Sequence, residues 1–182
     1  RSYSPEAFLD LETDCGWIND VQFVLRFLLS TDESISVQTS GSTGEPKRIN
    51  HPRSRLRASA LATLEYFDLE PGSTALLAIP AKYIGGIMMI VRAFWGRLEL
   101  HLTEPKLKLH LDNSFDFIPL TPAQFSSILG TPSESHLLNS TVLLGGSEVP
   151  PALEHLNKGM VFVGYGMTET ASHVAVRKLG SS

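Results

Sequence analysis

Three short apolar segments of strand length each end in a turn that is rich in glycine or polar residues. They cover residues 74–79, 142–144 and 161–163, and amphipathic segments of helix length alternate with such stretches along the chain. This alternation predicts an α/β fold. In open α/β sheets, ligands bind outside the carboxyl ends of the strands. If these strands are parallel neighbours, the turns that follow them therefore share one cleft.

The N-terminal third of the chain predicts two helices and one strand. Residues 17–29 and 52–67 predict helices, and residues 35–38 predict a strand that leads into a polar loop. The second helix has one apolar face, formed by Leu56, Ala60, Leu64 and Phe67. Its other faces carry Arg53, Arg55 and Arg57. Because no aromatic residues interleave with them, these arginines are interpreted as a solvated surface and not as a nucleic-acid site.

Composition narrows the classes of ligand and compartment. The 182 residues are 42% hydrophobic, which is enough for one domain or a large part of one. A net charge of −4 gives no general attraction to nucleic acid or acidic membranes, so a small ligand that is held locally is favoured. The single cysteine, Cys15, excludes an internal disulfide and fits a reducing compartment. With no signal segment and no apolar run of membrane-spanning length, a cytoplasmic protein is expected.

A loop of hydroxyl-bearing residues, glycines and one lysine follows the first predicted strand. Its candidate ligand-binding residues are Thr39, Ser40, Gly41, Ser42, Thr43, Gly44 and Lys47. The glycines let the main-chain N–H groups approach an anion, and the lysine adds charge. Pro46 and Arg48 depart from the P-loop pattern, and residues 47–50 look extended, so the loop itself must hold a phosphate. The alternative is a solvated turn that binds no ligand.

The turns after the two later strands carry complementary chemistry. Gly145 and Gly146 allow a flat ring to approach the main chain, and Tyr165 offers an aromatic face, which together suit a purine. The Thr168 hydroxyl can reach a phosphoryl oxygen, and the Glu169 carboxylate can bind magnesium. The alternatives are a tight Gly-Gly turn, a core tyrosine and a helix N-terminus at 168–169.

Two segments resemble signatures of the adenylate-forming acyl-CoA synthetase superfamily. Residues 39–47 match its phosphate loop, [ST]-S-G-[ST]-T-G-x-P-K, and residues 164–169 match its Y-G-x-T-E segment. The spacing of Pro80, Tyr83 and Gly86 is similar to that of its acyl-site segment, in which His or another aromatic residue usually stands at the position of Tyr83. Its adenine-side loop is similar to Leu144, Gly145 and Gly146 followed by Pro150 and Leu153.

Flanking residues indicate a branch of the superfamily. Residues 121–125 and 168–173 look most like those of o-succinylbenzoate–CoA ligases, the enzymes of menaquinone biosynthesis. Acetyl-, fatty-acyl- and aryl-CoA ligases are the nearest alternatives. The resemblance implies part of the large N-terminal domain of an adenylate-forming enzyme, with a mostly parallel sheet flanked by helices. It also implies ATP and Mg²⁺ as cofactors, CoA as co-substrate and a small carboxylic acid as substrate.

The resemblance implies a two-step reaction and assigns roles to residues. The acid attacks the α-phosphate of ATP to give an acyl-adenylate, and CoA then displaces AMP. The residues implied in catalysis are Thr168 for the α-phosphate, Glu169 for magnesium and Lys47 for the outer phosphates. The residues implied in nucleotide binding are Thr39, Ser40, Gly41, Ser42, Thr43, Gly44, Lys47, Gly145, Gly146, Ser147, Gly164, Tyr165, Gly166 and Thr168. The acid site is expected at Tyr83, Gly86, His173 and Arg177. The alternative for His173 is a neutral structural histidine.

Other functional residues of the superfamily have no counterpart here. Its ribose-binding acidic residue, interdomain hinge and catalytic lysine all lie downstream of the last motif matched. We therefore expect residues 1–182 to be a partial N-terminal adenylation domain without the C-terminal lid domain, incomplete for turnover. The unpaired sheet edge of such a portion favours a homo-oligomer. The alternative from another class is a catalytically silent nucleotide-binding module.

Overall fold

A largely parallel sheet lies between two layers of helices in the computed structural model, which describes residues 3–39, 47–156 and 159–181. The strands are β1 (Ser34–Gln38), β2 (Arg48–Pro52), β3 (Thr74–Leu77), β4 (Glu99–Leu102), β5 (Ile118–Leu120), β6 (Thr141–Leu144), β7 (Met160–Gly166) and β8 (His173–Lys178). The helices are α1 (Pro5–Leu9), α2 (Gly16–Leu29), α3 (Arg53–Tyr66), α4 (Ile84–Gly96), α5 (Pro122–Ile128), α6 (Glu134–Leu138) and α7 (Pro151–Glu154). The predicted α/β class is confirmed.

The three predicted apolar strands, β3, β6 and β7, run in the same direction, and the unpredicted strand β5 lies between β3 and β6. β3 pairs in parallel with β4, and β5, β6 and β7 form consecutive parallel pairs. A parallel bridge between Ala75 and Phe117 joins β3 to the segment that enters β5. The carboxyl ends of β3, β6 and β7 therefore lie along one edge, as the sequence predicted. Two antiparallel pairs, β1–β2 and β7–β8, complete the strand pairing of the described residues.

Strands β3, β5 and β6 are buried on both faces, which explains why they read as continuous apolar runs. In β3, Ala75 and Leu77 pack into a core with α2, α3 and α4, whereas Leu76 packs into a second core with α5, α6 and α7. β6 alternates in the same way, with Leu143 in the first core and Leu144 in the second. Successive strand side chains point to opposite faces, so each strand supplies both cores.

Predicted helix and strand limits agree closely with the structure, with one instructive exception. The helices predicted over 17–29 and 52–67 are α2 and α3, and the extended segment after the loop is β2. The strand predicted over 161–163 continues to Gly166, so Gly164, Tyr165 and Gly166 lie in β7 and not in a turn. The physical reason is β8, which pairs antiparallel with this stretch and satisfies its main-chain groups.

The interpretation of Arg53 as a solvated residue is wrong. Its guanidinium donates hydrogen bonds to the carbonyls of Phe27, Leu28 and Ser30 at 2.5–3.1 Å, and its Nε donates to the Asp32 carbonyl. It also stacks over the Phe27 ring, 4.4 Å from the centroid. The last carbonyls of a helix lack intrahelical partners, so Arg53 closes the C-terminus of α2.

Among the described residues, no helix combines the length and the apolar character that crossing a bilayer requires.

Arg53→Met should lower the free energy of unfolding by about 2–3 kcal/mol, because several main-chain carbonyls lose a charged donor. The matched control is Arg57→Met on the exposed side of the same helix, which should change stability by less than about 0.5 kcal/mol. Urea unfolding followed by circular dichroism measures both. An equal, small effect of the two substitutions would show that the Arg53 contacts contribute nothing.

Candidate functional site

A cleft of about 1650 Å³ opens at the carboxyl ends of the parallel strands. The predicted site residues that line it are Thr39, Lys47, Tyr83, Gly86, Gly145, Gly146, Ser147, Gly164, Tyr165, Gly166, Thr168, Glu169, His173 and Arg177. The remaining predicted ligands, Ser40, Gly41, Ser42, Thr43 and Gly44, lie outside the described residues. The structure thus brings two distant sequence segments to one place, while the ligand roles of their residues stay predictions.

The two ends of the hydroxyl-rich loop are tied together at the cleft. The Thr39 N–H donates to the Lys47 carbonyl at 2.9 Å, and the Lys47 N–H donates to the Thr39 hydroxyl oxygen at 3.1 Å. These bonds extend the β1–β2 hairpin by one pair, so β1 and β2 fix the point at which the loop leaves the sheet. The Lys47 side chain is exposed at this point and is available to an anion.

A short 3₁₀ turn, Thr168–Thr170, presents the candidate catalytic pair. Thr170 ties this turn internally, because its hydroxyl accepts from the Met167 N–H at 3.1 Å and donates to the Ser172 carbonyl at 2.6 Å. Fully buried Ala171 ends the turn with a left-handed φ of 67°. These contacts leave the exposed Glu169 carboxylate directed outward from a constrained main chain.

The candidate adenine side has open main chain and an accessible aromatic ring. A Cβ atom added to Gly145 would have no atom within 4 Å, and Gly146 has a φ of 84° that favours glycine. Tyr165 is 69% exposed, so the alternative of a core tyrosine is excluded. A flat ring can therefore lie over the main chain at Gly145.

Two glycines of the matched segments are required by packing. A Cβ on Gly86 would lie 2.3 Å from the Pro80 carbonyl oxygen, and one on Gly166 would lie 2.3 Å from the Ser172 oxygen. Real Cβ atoms do not come so close to main chain. Gly86 thus lets α4 begin directly against the turn after β3, whatever it contributes to an acid site.

Arg92, which the sequence analysis missed, is a buried cation on the wall of the cleft. It is 3% exposed and donates to the Ser172 hydroxyl at 2.5 Å, and its Nε has no partner among the described residues. Burial lowers the pKa of Arg92 to about 10, which keeps it protonated at neutral pH. A lone arginine in the apolar run of α4 is the sequence signal that could have found it, since buried charges require partners.

The two predicted acid-site cations behave differently from expectation. Burial lowers the pKa of His173 to about 4, and the nearby Arg92 charge adds to this effect, so the ring is neutral at pH 7. The Arg177 guanidinium forms two hydrogen bonds with the Glu154 carboxylate, which lowers the pKa of that carboxyl. Of Arg92, His173 and Arg177, Arg92 is therefore the one that is charged and has no carboxylate partner among the described side chains.

The described residues of the site could hold magnesium only together with a bound substrate that supplies further oxygen ligands. No group of three or more His, Cys, Asp or Glu within the described ranges could hold a metal. Mg²⁺ commonly binds one or two carboxylates and completes its coordination with substrate phosphates and water. The exposed Glu169 carboxylate, beside the Thr168 hydroxyl, suits that arrangement.

Comparisons with known proteins agree with this geometry. Residues 32–181 match the AMP-binding enzyme family. The chain is 31% identical over 160 residues to the 2-succinylbenzoate–CoA ligase of Listeria monocytogenes, covering 79% of this chain and 34% of the relative. It is 32% identical over 157 residues to a feruloyl-CoA synthase of Amycolatopsis, covering 80% and 32%. The chain thus spans about a third of the length of these curated relatives.

Solved structures share the fold. An acyl-CoA synthetase (AMP-forming)/AMP-acid ligase II-like protein from Dyadobacter fermentans superposes with a TM-score of 0.85 and 35% identity, over 97% of this chain and 53% of that one. The Bacillus subtilis o-succinylbenzoate coenzyme A synthetase in complex with ATP and magnesium ion has a TM-score of 0.64 and 24% identity, over 79% and 32%. The structure therefore matches the N-terminal domain of acyl-CoA synthetases.

The stability of the protein should fall as the pH is lowered from about 6.5 to about 4. In this window the unfolded chain binds a proton at His173 and the folded chain does not, so folding is favoured at the higher pH. Because the ring is partly exposed, its contribution is reduced by solvent to about 1–2 kcal/mol. Urea unfolding across this range should show a shallower pH dependence for His173→Gln than for a control, His155→Gln, at an exposed position. Equal slopes would contradict an imidazole whose pKa is lowered to about 4 in the folded chain.

Proposed function

We propose, because the chain belongs to the AMP-binding enzyme family, that it forms the nucleotide and acid sites of an AMP-forming acid–CoA ligase. One observation carries the proposal: the loop ends at Thr39 and Lys47 and the turn with Thr168 and Glu169 line the same cleft. A polyphosphate that contacts the loop can therefore also reach the turn. We assign residues 1–182 to a partial N-terminal adenylation domain, with the C-terminal lid domain supplied by further chain.

In the proposed reaction the protein positions and stabilises charge without a protein nucleophile. The loop and Lys47 hold the β- and γ-phosphates, and the Thr168 hydroxyl donates to the α-phosphate that the acid attacks. The attack forms the acyl-phosphate bond of an adenylate and releases pyrophosphate, and CoA thiol then displaces AMP. Magnesium at Glu169 would neutralise phosphate charge. Tyr165 and the open main chain at Gly145 would hold the adenine.

The acid that we favour is o-succinylbenzoate. Several relatives carry the name 2-succinylbenzoate–CoA ligase, including those of Haemophilus influenzae and Listeria monocytogenes. This acid has an aromatic ring and a second carboxylate, so its site needs an aromatic wall and a cation. Tyr83 and Arg92 line the cleft and supply these groups. Since Arg177 is engaged by Glu154, we move the carboxylate-binding role from Arg177 to Arg92.

Part of the likeness to this branch has a packing explanation. Gln124, within residues 121–125, donates to the Ala78 carbonyl at 2.7 Å and to the Lys106 carbonyl at 3.0 Å. Its side-chain oxygen accepts from the Thr121 N–H and closes the N-terminus of α5. The segment therefore fixes the main chain beyond β3, and it does not by itself identify the acid.

A second candidate is an aryl-CoA ligase of the feruloyl type, because a feruloyl-CoA synthase is 32% identical to the chain. Ferulate has one carboxylate, so this candidate leaves the buried Arg92 without an anionic partner. Binding of o-succinylbenzoate should therefore depend on the Arg92 charge, whereas binding of ferulate should not.

The function is tested by ATP–pyrophosphate exchange in the longest encoded form of the chain, with o-succinylbenzoate, ferulate, acetate and a long-chain fatty acid. We expect exchange with o-succinylbenzoate to exceed exchange with the other acids. Exchange with ferulate alone would show that ferulate, and not o-succinylbenzoate, is the substrate, and it would still support ligase activity. ATP binding without exchange for any acid would favour the silent nucleotide-binding module.

Arg92→Gln should raise the KM for o-succinylbenzoate in this exchange by about 10- to 100-fold and leave the KM for ATP within about threefold, because a buried charged hydrogen bond is lost. Arg57→Gln, on exposed α3, is the matched control and should change neither constant. Thermal unfolding checks that the Arg92 variant folds. An equal rise in KM for benzoate, which lacks the second carboxylate, would show that Arg92 does not recognise that group.

A further inference from the structure

His51 is a buried imidazole on the strand that leads away from the hydroxyl-rich loop. β2 begins directly after Lys47, and His51 is the one residue of this strand that is fully buried, at 0% exposure. In the antiparallel register it stands opposite Ile35 of β1. The residues on either side of it, Asn50 and Pro52, are exposed. The strand therefore directs one polar ring into the interior at the base of the loop.

Two residues of the turn at the cleft and one residue of α3 influence the His51 ring. The Thr168 carbonyl and the Glu169 charge both act on the imidazole from the turn, and Arg55 acts on it from α3. Ala171, which ends the turn, packs in the same core as Ile35 and Val37 of β1. The β1–β2 hairpin and the turn thus contribute to one hydrophobic core, and the Thr168 carbonyl acts on the His51 ring from the turn.

The contact between His51 and the turn is incomplete. Neither Nδ1 nor Nε2 has a hydrogen-bond partner of normal geometry within the described parts of the chain. The Thr168 carbonyl is close enough to favour the protonated ring, yet burial and the Arg55 charge outweigh it and lower the pKa of His51. A neutral ring has one N–H donor. Buried donors in folded proteins are almost always paired, so an unpaired one beside a carbonyl requires a reason.

We propose that His51 is a positioning residue whose ring N–H completes a hydrogen bond to the Thr168 carbonyl when a nucleotide polyphosphate contacts both Lys47 and Thr168. This inference rests on the proposed nucleotide site. Lys47 and His51 lie on one short segment, so a phosphate that engages Lys47 and Thr168 draws the hairpin and the turn together. Hydrogen bonds at such sites are often loose before the ligand binds. The completed bond then fixes the main chain from which Thr168 and Glu169 project.

His51→Leu removes the donor, and His51→Gln keeps one. In ATP-saturated protein, hydrogen–deuterium exchange of residues 167–171 should be about tenfold faster in His51→Leu and within about threefold of the parent in His51→Gln. Affinity for ATP, measured by calorimetry, should fall by about tenfold in His51→Leu and recover in His51→Gln. Asn50→Leu, at the exposed neighbouring position, is the matched control and should change neither quantity.

Nuclear magnetic resonance of the His51 ring gives a direct test of the bond. Addition of ATP should slow the exchange of the ring N–H proton and shift its resonance downfield in the parent chain. An unchanged ring signal at saturating ATP would overturn the proposal, as would equal loosening of residues 167–171 in the Leu and Gln variants. Failure of the proposed ligase function is separate: it appears as absent pyrophosphate exchange in the parent, whatever the effect of His51 on ATP affinity.

Discussion

The burial of helix α4 is the constraint on which the rest of the structure depends. Nearly all of its side chains are buried, and it packs against α2, α3, β3 and β4. Its close fit depends on glycines at both ends, since a Cβ on Gly86 would meet the Pro80 oxygen and one on Gly96 would lie 2.7 Å from the Leu64 side chain. A helix held this tightly cannot rotate to bring Arg92 into water. The guanidinium is therefore fixed at the wall of the cleft, with Ser172 of the turn as its bonded partner.

The local pattern of the chain predicted the elements whose burial is uniform. The strands predicted over 74–79, 142–144 and 161–163 are short and apolar, and α2 and α3 each bury one face, so these elements were found close to their observed limits. β4 and β5 were not predicted, and the residues of β4 alternate between exposed and half-buried. β8 was missed because its side chains are mostly exposed and only its main chain pairs with β7. Arg53 was misinterpreted because its partners, the carbonyls at the end of α2, lie more than 20 residues away. A strand with exposed side chains and a side chain that pairs with residues far along the sequence both lack a local sequence pattern that would predict them.

The candidate site was predicted unevenly, for a related reason. Thr39, Lys47, Thr168 and Glu169 lie in segments whose composition already suggests phosphate and metal chemistry, and the cleft brings them together. Arg92 and His51 lie in an apolar helix and a short strand, and their polarity matters only because the fold buries them beside the turn. Gly86, Gly166 and Gln124 show the converse, because close main-chain contacts of the glycines and hydrogen bonds of Gln124 already explain these residue types in the matched segments.

Lys47 and Arg92, the two lysine or arginine side chains of the cleft without a carboxylate partner among the described residues, differ in ways that suit different parts of one reaction. Lys47 is exposed at the base of a loop, so its charge is screened by solvent and its flexible stem can follow a polyphosphate that enters and leaves. Arg92 is buried, so its planar guanidinium keeps one orientation and interacts strongly with an anion in contact with it. A buried cation without an anionic partner attracts a ligand that carries a carboxylate. It gains far less from a ligand of similar size that is an uncharged ring. In the proposed ligase, Lys47 therefore supplies general attraction for phosphates, and Arg92 discriminates among acids.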